Sequence, residues 1–284
     1  MVPMKRLLIA GYGDIARRAA PLLESRFEIR LLSRAHGMDL DQPDSLAALA
    51  PADAVLHCAP PPASGAADTR TANLLFALES TGILPTRVVY ISTTGVYGDC
   101  GGAIVDESRA ANPQSARAVR RVQAEAQLAL WCKSRGAALT ILRAPGIYAA
   151  DRLPLARLRA GTPVLSDADD VYTNHVHADD LAAACIRALE EDAPAGTYNA
   201  SDDTRLKMGE WFDLVADHAG LPRPPRMARR EAAGRMAPEL LSFMNESRRL
   251  DNTRLKRTLG IRLRYPTVRE GLKHAHAAGV HQPA

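Results

Sequence analysis

Residues 11 to 16 read Gly-Tyr-Gly-Asp-Ile-Ala and follow directly on the apolar run Leu7 to Ala10. In such a turn, Gly11 permits the sharp bend and Gly13 lets the backbone approach a pyrophosphate. Small Ala16 lets the following helix pack closely on the strand. Asp14 and Ile15 open that helix, whose free N–H groups and positive dipole end suit phosphates. Glycines after a strand also make plain turns, but the strand–turn–helix context is the one a dinucleotide site requires. The next apolar run ends at Ser33 and Arg34. An acidic residue there would bind ribose hydroxyls, whereas a guanidinium suits a 2′-phosphate. The expected cofactor is therefore NADP, with NAD as the alternative. Asp39 and Leu40 are expected to flank the adenine edge, and Cys58, Ala59 and Pro60 are placed at the cofactor as well.

A second chemical position is Thr93, with Thr94 beside it, just past the run Arg87 to Ser92. A hydroxyl at a strand end either orients a substrate carbonyl or satisfies the local backbone. His175 and His177 lie two apart with no third ligand in view, and Cys58, Cys100, Cys132 and Cys185 have no metal spacing. No metal site is expected. Dispersed cysteines fit reduced thiols, hence a cytoplasmic protein. The net charge of +4 is small. Its richest stretch, Arg223, Arg226, Arg229, Arg230 and Arg235, lacks interleaved aromatics. That excludes nucleic acid as the expected partner and suggests the wall of a pocket for an anionic small molecule. The short apolar start excludes a signal peptide or membrane span.

These groups need a scaffold. Leu7 to Ala10, Phe27 to Leu32, Ala54 to His57, Arg87 to Ser92 and Leu139 to Leu142 read as buried strands. Ile15, Ala19, Leu22 and Leu23, then Asn73 to Glu79 and Val119 to Leu130, read as helices between them. That alternation predicts an α/β fold, a doubly wound parallel sheet of Rossmann type. Residues 1–150 would form the dinucleotide-binding domain and 151–284 a smaller C-terminal substrate region. A return helix and strand at about 175–200 would pack on the first domain, with Asp179 or Asp180 capping the helix. The remainder is punctuated by Pro222, Pro224, Pro225, Pro238 and Pro266.

With these segments assembled, the chain resembles the extended short-chain dehydrogenases/reductases of the NAD-dependent epimerase/dehydratase family. The likeness rests on ISTTGVYGD at 91–99, Asp106-Glu107, LRAPGIY at 142–148, NHVHADDLA at 174–182 and LRYPTVREGL at 263–272. It implies that Thr93 occupies the catalytic hydroxyl position. The family's acid/base tyrosine and the lysine four residues on would fall at Arg117 and Arg121. The family's helix asparagine falls nearest Ala67. Arginine cannot donate a proton near neutral pH, its pKa being above about 12. Arg121 could still hydrogen-bond ribose hydroxyls. Tyr97, Arg117, Tyr148 and His175 are expected on the substrate side. Tyr172 and Asp106 are further proton-carrying candidates by residue type. The implied function is an NAD(P)-dependent oxidoreductase or epimerase acting on a sugar nucleotide or related carbonyl or alcohol. The alternative is a non-catalytic dinucleotide sensor.

Overall fold

The computed structural model describes residues 4–277, apart from 81, 83, 233, 237–240 and 243, so Pro238 lies outside the described residues. Six parallel strands form the central sheet: β1 (Lys5–Ala10), β2 (Phe27–Leu32), β3 (Ala54–His57), β4 (Arg87–Thr93), β5 (Ala138–Ala144) and β6 (Gly196–Asn199). Their order is β6-β5-β4-β3-β1-β2. The order turns at β1, whose two neighbours are β2 and β3, and α/β sheets open their ligand crevice at such a switch point.

Both sheet faces are covered, which is why the inner strands read largely as apolar runs, whereas edge strand β2 exposes Glu28 and Arg30. Leu7 and Ile9 of β1 point to a core shared with α1 (Asp14–Leu23). Leu8 and Ala10 point to the opposite core, with α2 (Thr69–Ser80) and α3 (Ala116–Arg135). The later helix α4 (Ala178–Ala188) returns to pack beside α1, with Leu181 and Ala184 in the first core. α4 starts differently from the expected cap. His177 caps it, its Nδ1 accepting from the Asp179 N–H at 3.2 Å. The buried Asp180 carboxylate instead accepts the Arg264 and Tyr265 N–H groups, at 2.7 and 2.9 Å.

Past β5 a separate apolar cluster forms around Tyr148, Val164, Trp211, Phe212, Val215 and Val268, with Trp211 to Val215 supplied by α5 (Met208–Ala219). Short strand pairs tie this region to the sheet. Gly146–Tyr148 runs beside His175–His177, and Arg249–Leu250 runs beside Ile104–Val105. The second pair carries residues 246–248 back to the end of β4, about 150 residues earlier in the chain. No described helix is long and apolar enough to cross a membrane.

Candidate functional site

Two clefts open at the carboxyl ends of the strands. The first, of about 390 Å³, is lined by Gly11, Gly13, Ser33, Arg34, Asp39, Leu40, Cys58, Ala59 and Pro60, among others. Gly11 has φ +91°, and a Cβ there would stand 2.5 Å from the Ala59 backbone nitrogen. The turn glycine is thus demanded by the neighbouring β3 loop as well as by its own conformation. Gly13 is different. A Cβ there would meet nothing within 4 Å, so the backbone faces open space at the start of α1. That is the room a pyrophosphate needs.

Three expected cofactor residues stand back from the cleft lining. Ile15 and Ala16 are buried in the core and seat α1 on the sheet. The Asp14 carboxylate accepts from Arg18 at 3.0 Å and from Arg152 at 2.8 Å, so its charge is compensated beside the helix start. Arg70, which no motif marked, also lines this cleft. Its Nε and Nη2 pair with Asp41, and its Nη1 donates to the Pro60 carbonyl. The guanidinium is therefore saturated, and Arg34 is left as the exposed cation of the cleft.

The second cleft, of about 400 Å³, lies over β4 and β5. Thr93, Thr94, Arg117 and Arg121 all line it. Thr93 Oγ1 accepts the Gly95 N–H at 3.2 Å, which leaves its own O–H proton for an acceptor in the cleft. Arg121 donates to the Tyr90 hydroxyl at 2.9 Å and to the Ile91 carbonyl at 2.7 Å, both neutral partners. Glu125, one turn further along α3, does not pair with it. That buried carboxylate accepts from Ser92 and from Arg143, the latter at 2.6 Å. Arg117 stands one turn before Arg121 in α3. Desolvation and then the charge of Arg121 hold its pKa below the usual guanidinium value, with Glu246 acting in the opposite sense.

Three residues expected on the substrate side are elsewhere. Tyr97 is fully buried and donates to Asn199 Oδ1 at 2.8 Å. Tyr148 is buried beneath the C-terminal segment and donates to the Thr267 carbonyl at 3.3 Å. His175 stacks on Trp211 with ring centroids 4.3 Å apart, and burial lowers its pKa to about 3. Their side chains fill cores, so none of the three lines the cleft. Asp106 also stands away, capping Ser108. Nor does the basic stretch wall either cleft, because local acids neutralise it: Arg223 pairs with Asp217 and Arg226 with Asp213.

The cleft also gains Ser115, Glu246 and Arg248, which no motif marked, together with Asn174, which opens the 174–182 segment, and Tyr172, a candidate by residue type. Ser115 caps α3, accepting the Ala118 N–H at 3.3 Å. Asn174 Nδ2 donates to the Arg248 carbonyl at 2.9 Å, fixing the strap that carries Arg248. Arg248 donates from Nη1 to Glu246 and to the Gly98 carbonyl, each at 2.8 Å.

The sequence profile described as "NAD dependent epimerase/dehydratase family" matches residues 13–201. The chain is similar to a 3-diazoavenalumate denitrifying reductase of Streptomyces sp, with 28% identity over 218 residues, covering 71% of this chain and 68% of the relative. Among solved structures it is similar to a functionally unknown conserved protein from Silicibacter pomeroyi. There the TM-score is 0.80 and the identity 28%, over 97% of this chain and 99% of the other. RMD from Pseudomonas aeruginosa, complexed with NADPH, shares the fold with a TM-score of 0.72 and 22% identity, over 96% and 98% of the two chains.

Proposed function

Because the chain belongs to the NAD-dependent epimerase/dehydratase family, we propose that it is an NADP(H)-dependent reductase acting on a small anionic acceptor. The nicotinamide, when bound, supplies hydride chemistry. The chain's own residues fit such a group. Gly13 leaves the phosphate path open, α1 presents its N-terminus there, and Arg34 faces the far end of the same cleft. From β2 to β4, the strand that ends in Thr93, the sheet edge crosses three strand spacings, roughly 14 Å at about 4.8 Å each. A dinucleotide anchored at Arg34 would reach along that edge toward Thr93.

The observation that carries the reading is the wall of the second cleft, where Arg117 and Arg121 stand with Thr93, Thr94 and Ser115. Neither guanidinium can exchange a proton near neutral pH. Their contribution is a positive field that holds an anionic group and polarises the acceptor, while the Thr93 hydroxyl orients it. Tyr172 and Glu246 are the described lining residues able to carry a proton, with water as the remaining source. A site arranged in this way favours hydride delivery over the alcohol deprotonation that starts an epimerase cycle. The Streptomyces relative is likewise named as a reductase.

The test is stopped-flow oxidation of NADPH deuterated at nicotinamide C4, across a panel of carbonyl and carboxylic compounds, with deuterium followed into product. Transfer of label supports the reading. Tight NADPH binding with no transfer to any acceptor would favour the non-catalytic sensor.

A further inference from the structure

Ser33 follows β2 directly and lines the first cleft beside Arg34. The turn it opens folds back on itself, the His36 and Met38 N–H groups both donating to the Ser33 carbonyl, at 2.9 and 3.2 Å. That fold-back brings His36 Nδ1 to 2.8 Å from Ser33 Oγ. The Tyr12 ring of the glycine loop stands nearly perpendicular to the same imidazole, with centroids 6.3 Å apart. His36 is exposed and lies outside the cleft lining, so its contact with a bound cofactor runs through Ser33. The other charged or titratable groups at this end of the cleft are Tyr12, Arg34, Asp39 and Cys58, with Arg70 neutralised by Asp41. A hydroxyl beside a ring nitrogen has one proton to place. When the imidazole is neutral with its proton on Nε2, Nδ1 accepts the Ser33 O–H, and the oxygen offers only lone pairs to the cleft. When the imidazole is protonated, Nδ1–H donates to Oγ and the hydroxyl proton is free for an anion. A neutral ring with its proton on Nδ1 also frees the hydroxyl but brings no charge.

We infer that His36 is a positioning residue for cofactor choice, whose protonated ring turns the Ser33 hydroxyl toward the 2′-phosphate of NADPH. This deepens the NADP(H) reading and rests on it. One proton passes from solvent to Nδ1. The Ser33 proton stays on its oxygen and exchanges Nδ1 for a phosphate oxygen as acceptor. A phosphate dianion fits that state, because it accepts from Ser33 and Arg34 together and attracts the imidazolium charge. NADH presents a 2′-hydroxyl instead, which both donates and accepts and therefore suits Ser33 in either state. Discrimination between the two cofactors thus strengthens as His36 takes up its proton and weakens as pH rises.

The experiment is calorimetric titration of the full chain with NADPH and with NADH at pH 6.5, 7.5 and 8.5, in two buffers of different ionisation enthalpy. It is run on the parent, His36→Ala and His36→Gln. In the parent, the ratio of NADPH to NADH affinity should fall by about tenfold from pH 6.5 to pH 8.5, the loss expected for a charge-assisted hydrogen bond. The phosphate, with a second pKa of about 6, titrates in the opposite sense, so the fall belongs to the protein. The buffer pair should show proton uptake with NADPH and none with NADH. His36→Ala should hold the ratio at the parent's pH 8.5 value throughout. His36→Gln, which offers Ser33 an amide N–H but cannot titrate, should recover part of the ratio equally at all three pH values. A parent ratio indifferent to pH, equal proton uptake with both cofactors, or an unchanged pH dependence in His36→Ala would each overturn the inference. A parent that binds NADPH no more tightly than NADH at any pH refutes the NADP(H) reading as well, whereas an NADPH preference that is flat with pH refutes only the role of His36.

Discussion

Gly11 and Gly13 stand two residues apart in one loop, yet the structure predicts opposite consequences for replacing them. Gly13 has φ −86°, a value open to any L-residue, and an added Cβ meets nothing within 4 Å. Gly13→Val should therefore leave folding stability within about 1 kcal/mol, with the gain from a stiffer unfolded chain offset by a poorer helix cap. Its methyl groups would stand in the phosphate path. Losing two charge-assisted hydrogen bonds at about 1.5–3 kcal/mol each weakens NADPH by roughly two to four orders of magnitude. Gly11→Ala does the reverse. Its φ of +91° costs a side chain about 1–2 kcal/mol, and contacts of 2.5, 2.7 and 2.9 Å with Ala59 atoms force the β3 loop to move. Overpacking of that kind adds about 1–3 kcal/mol. The sum corresponds to a melting temperature lowered by roughly 5–15 °C. Thermal melts and NADPH fluorescence titrations on both variants decide the matter. A Gly13→Val protein that binds NADPH normally would refute the assigned phosphate path, and one that fails to fold would refute the open-space argument.

Arg34→Ala should weaken NADPH by about tenfold, the low end for a charge-assisted pair because Arg34 is exposed, while NADH affinity stays unchanged. Equal losses for both cofactors would remove Arg34 from the 2′-phosphate. Arg117→Tyr should raise NADPH-dependent reduction of neutral ketones above that of the parent, since Arg121 one turn on lowers the pKa of a phenol placed there; a steady-state assay with both proteins checks it. Glu125→Ala should cost about 3–5 kcal/mol in urea unfolding, because it strands the buried Arg143 guanidinium, whose side chain is 10% exposed. Burial pushes Asp202 up to about 8, so the folded chain keeps a proton that the unfolded carboxyl loses near pH 4. Stability should then fall as pH rises from about 4 to 8, by up to about 1.4 kcal/mol per pH unit, and level off above. Asp202→Asn should flatten that slope in urea midpoints taken from pH 5 to pH 8.

The inner strands were legible because a parallel strand covered on both faces has no polar alternation to blur it: Leu7 to Ala10 and Ala54 to Leu56 are apolar throughout. Ends were less legible. α2 starts at Thr69, ahead of the periodic core Asn73 to Glu79, because its first turn is set by Asp68, which accepts the Thr71 N–H. The glycine loop could be placed from its own spacing, and the Arg117/Arg121 pair from the register of the family it resembles, since each lies within one continuous segment. Tyr97, Tyr148 and His175 could not. A tyrosine or histidine reads the same whether its polar atom faces a cleft or a core partner, and only the fold shows Asn199 and Thr267 waiting for the two phenols. Arg248 and Glu246 carried no signal at all. They reach the cleft only through the pairing of Arg249–Leu250 with Ile104–Val105, a contact between distant parts of the chain.

The arginines show why local density of charge is a poor guide to a binding site. The stretch from Arg223 to Arg230 is the most basic in the chain, yet Asp217, Asp213 and the Asp169 carbonyl absorb its donors. A guanidinium so engaged braces one loop against its neighbour and presents little net field to a ligand. Arg121 is held in another manner, by a phenol and a carbonyl that orient the side chain and leave its charge uncancelled. The carboxylate best placed in sequence to cancel it, Glu125, is spent on Arg143. Fixed orientation with surplus charge is what an anion site requires, because the ligand then meets donors already aimed and no internal partner has to be displaced. In the reading proposed above, Arg117 and Arg121 thus equip the second cleft to hold an anion in place beside a hydride donor.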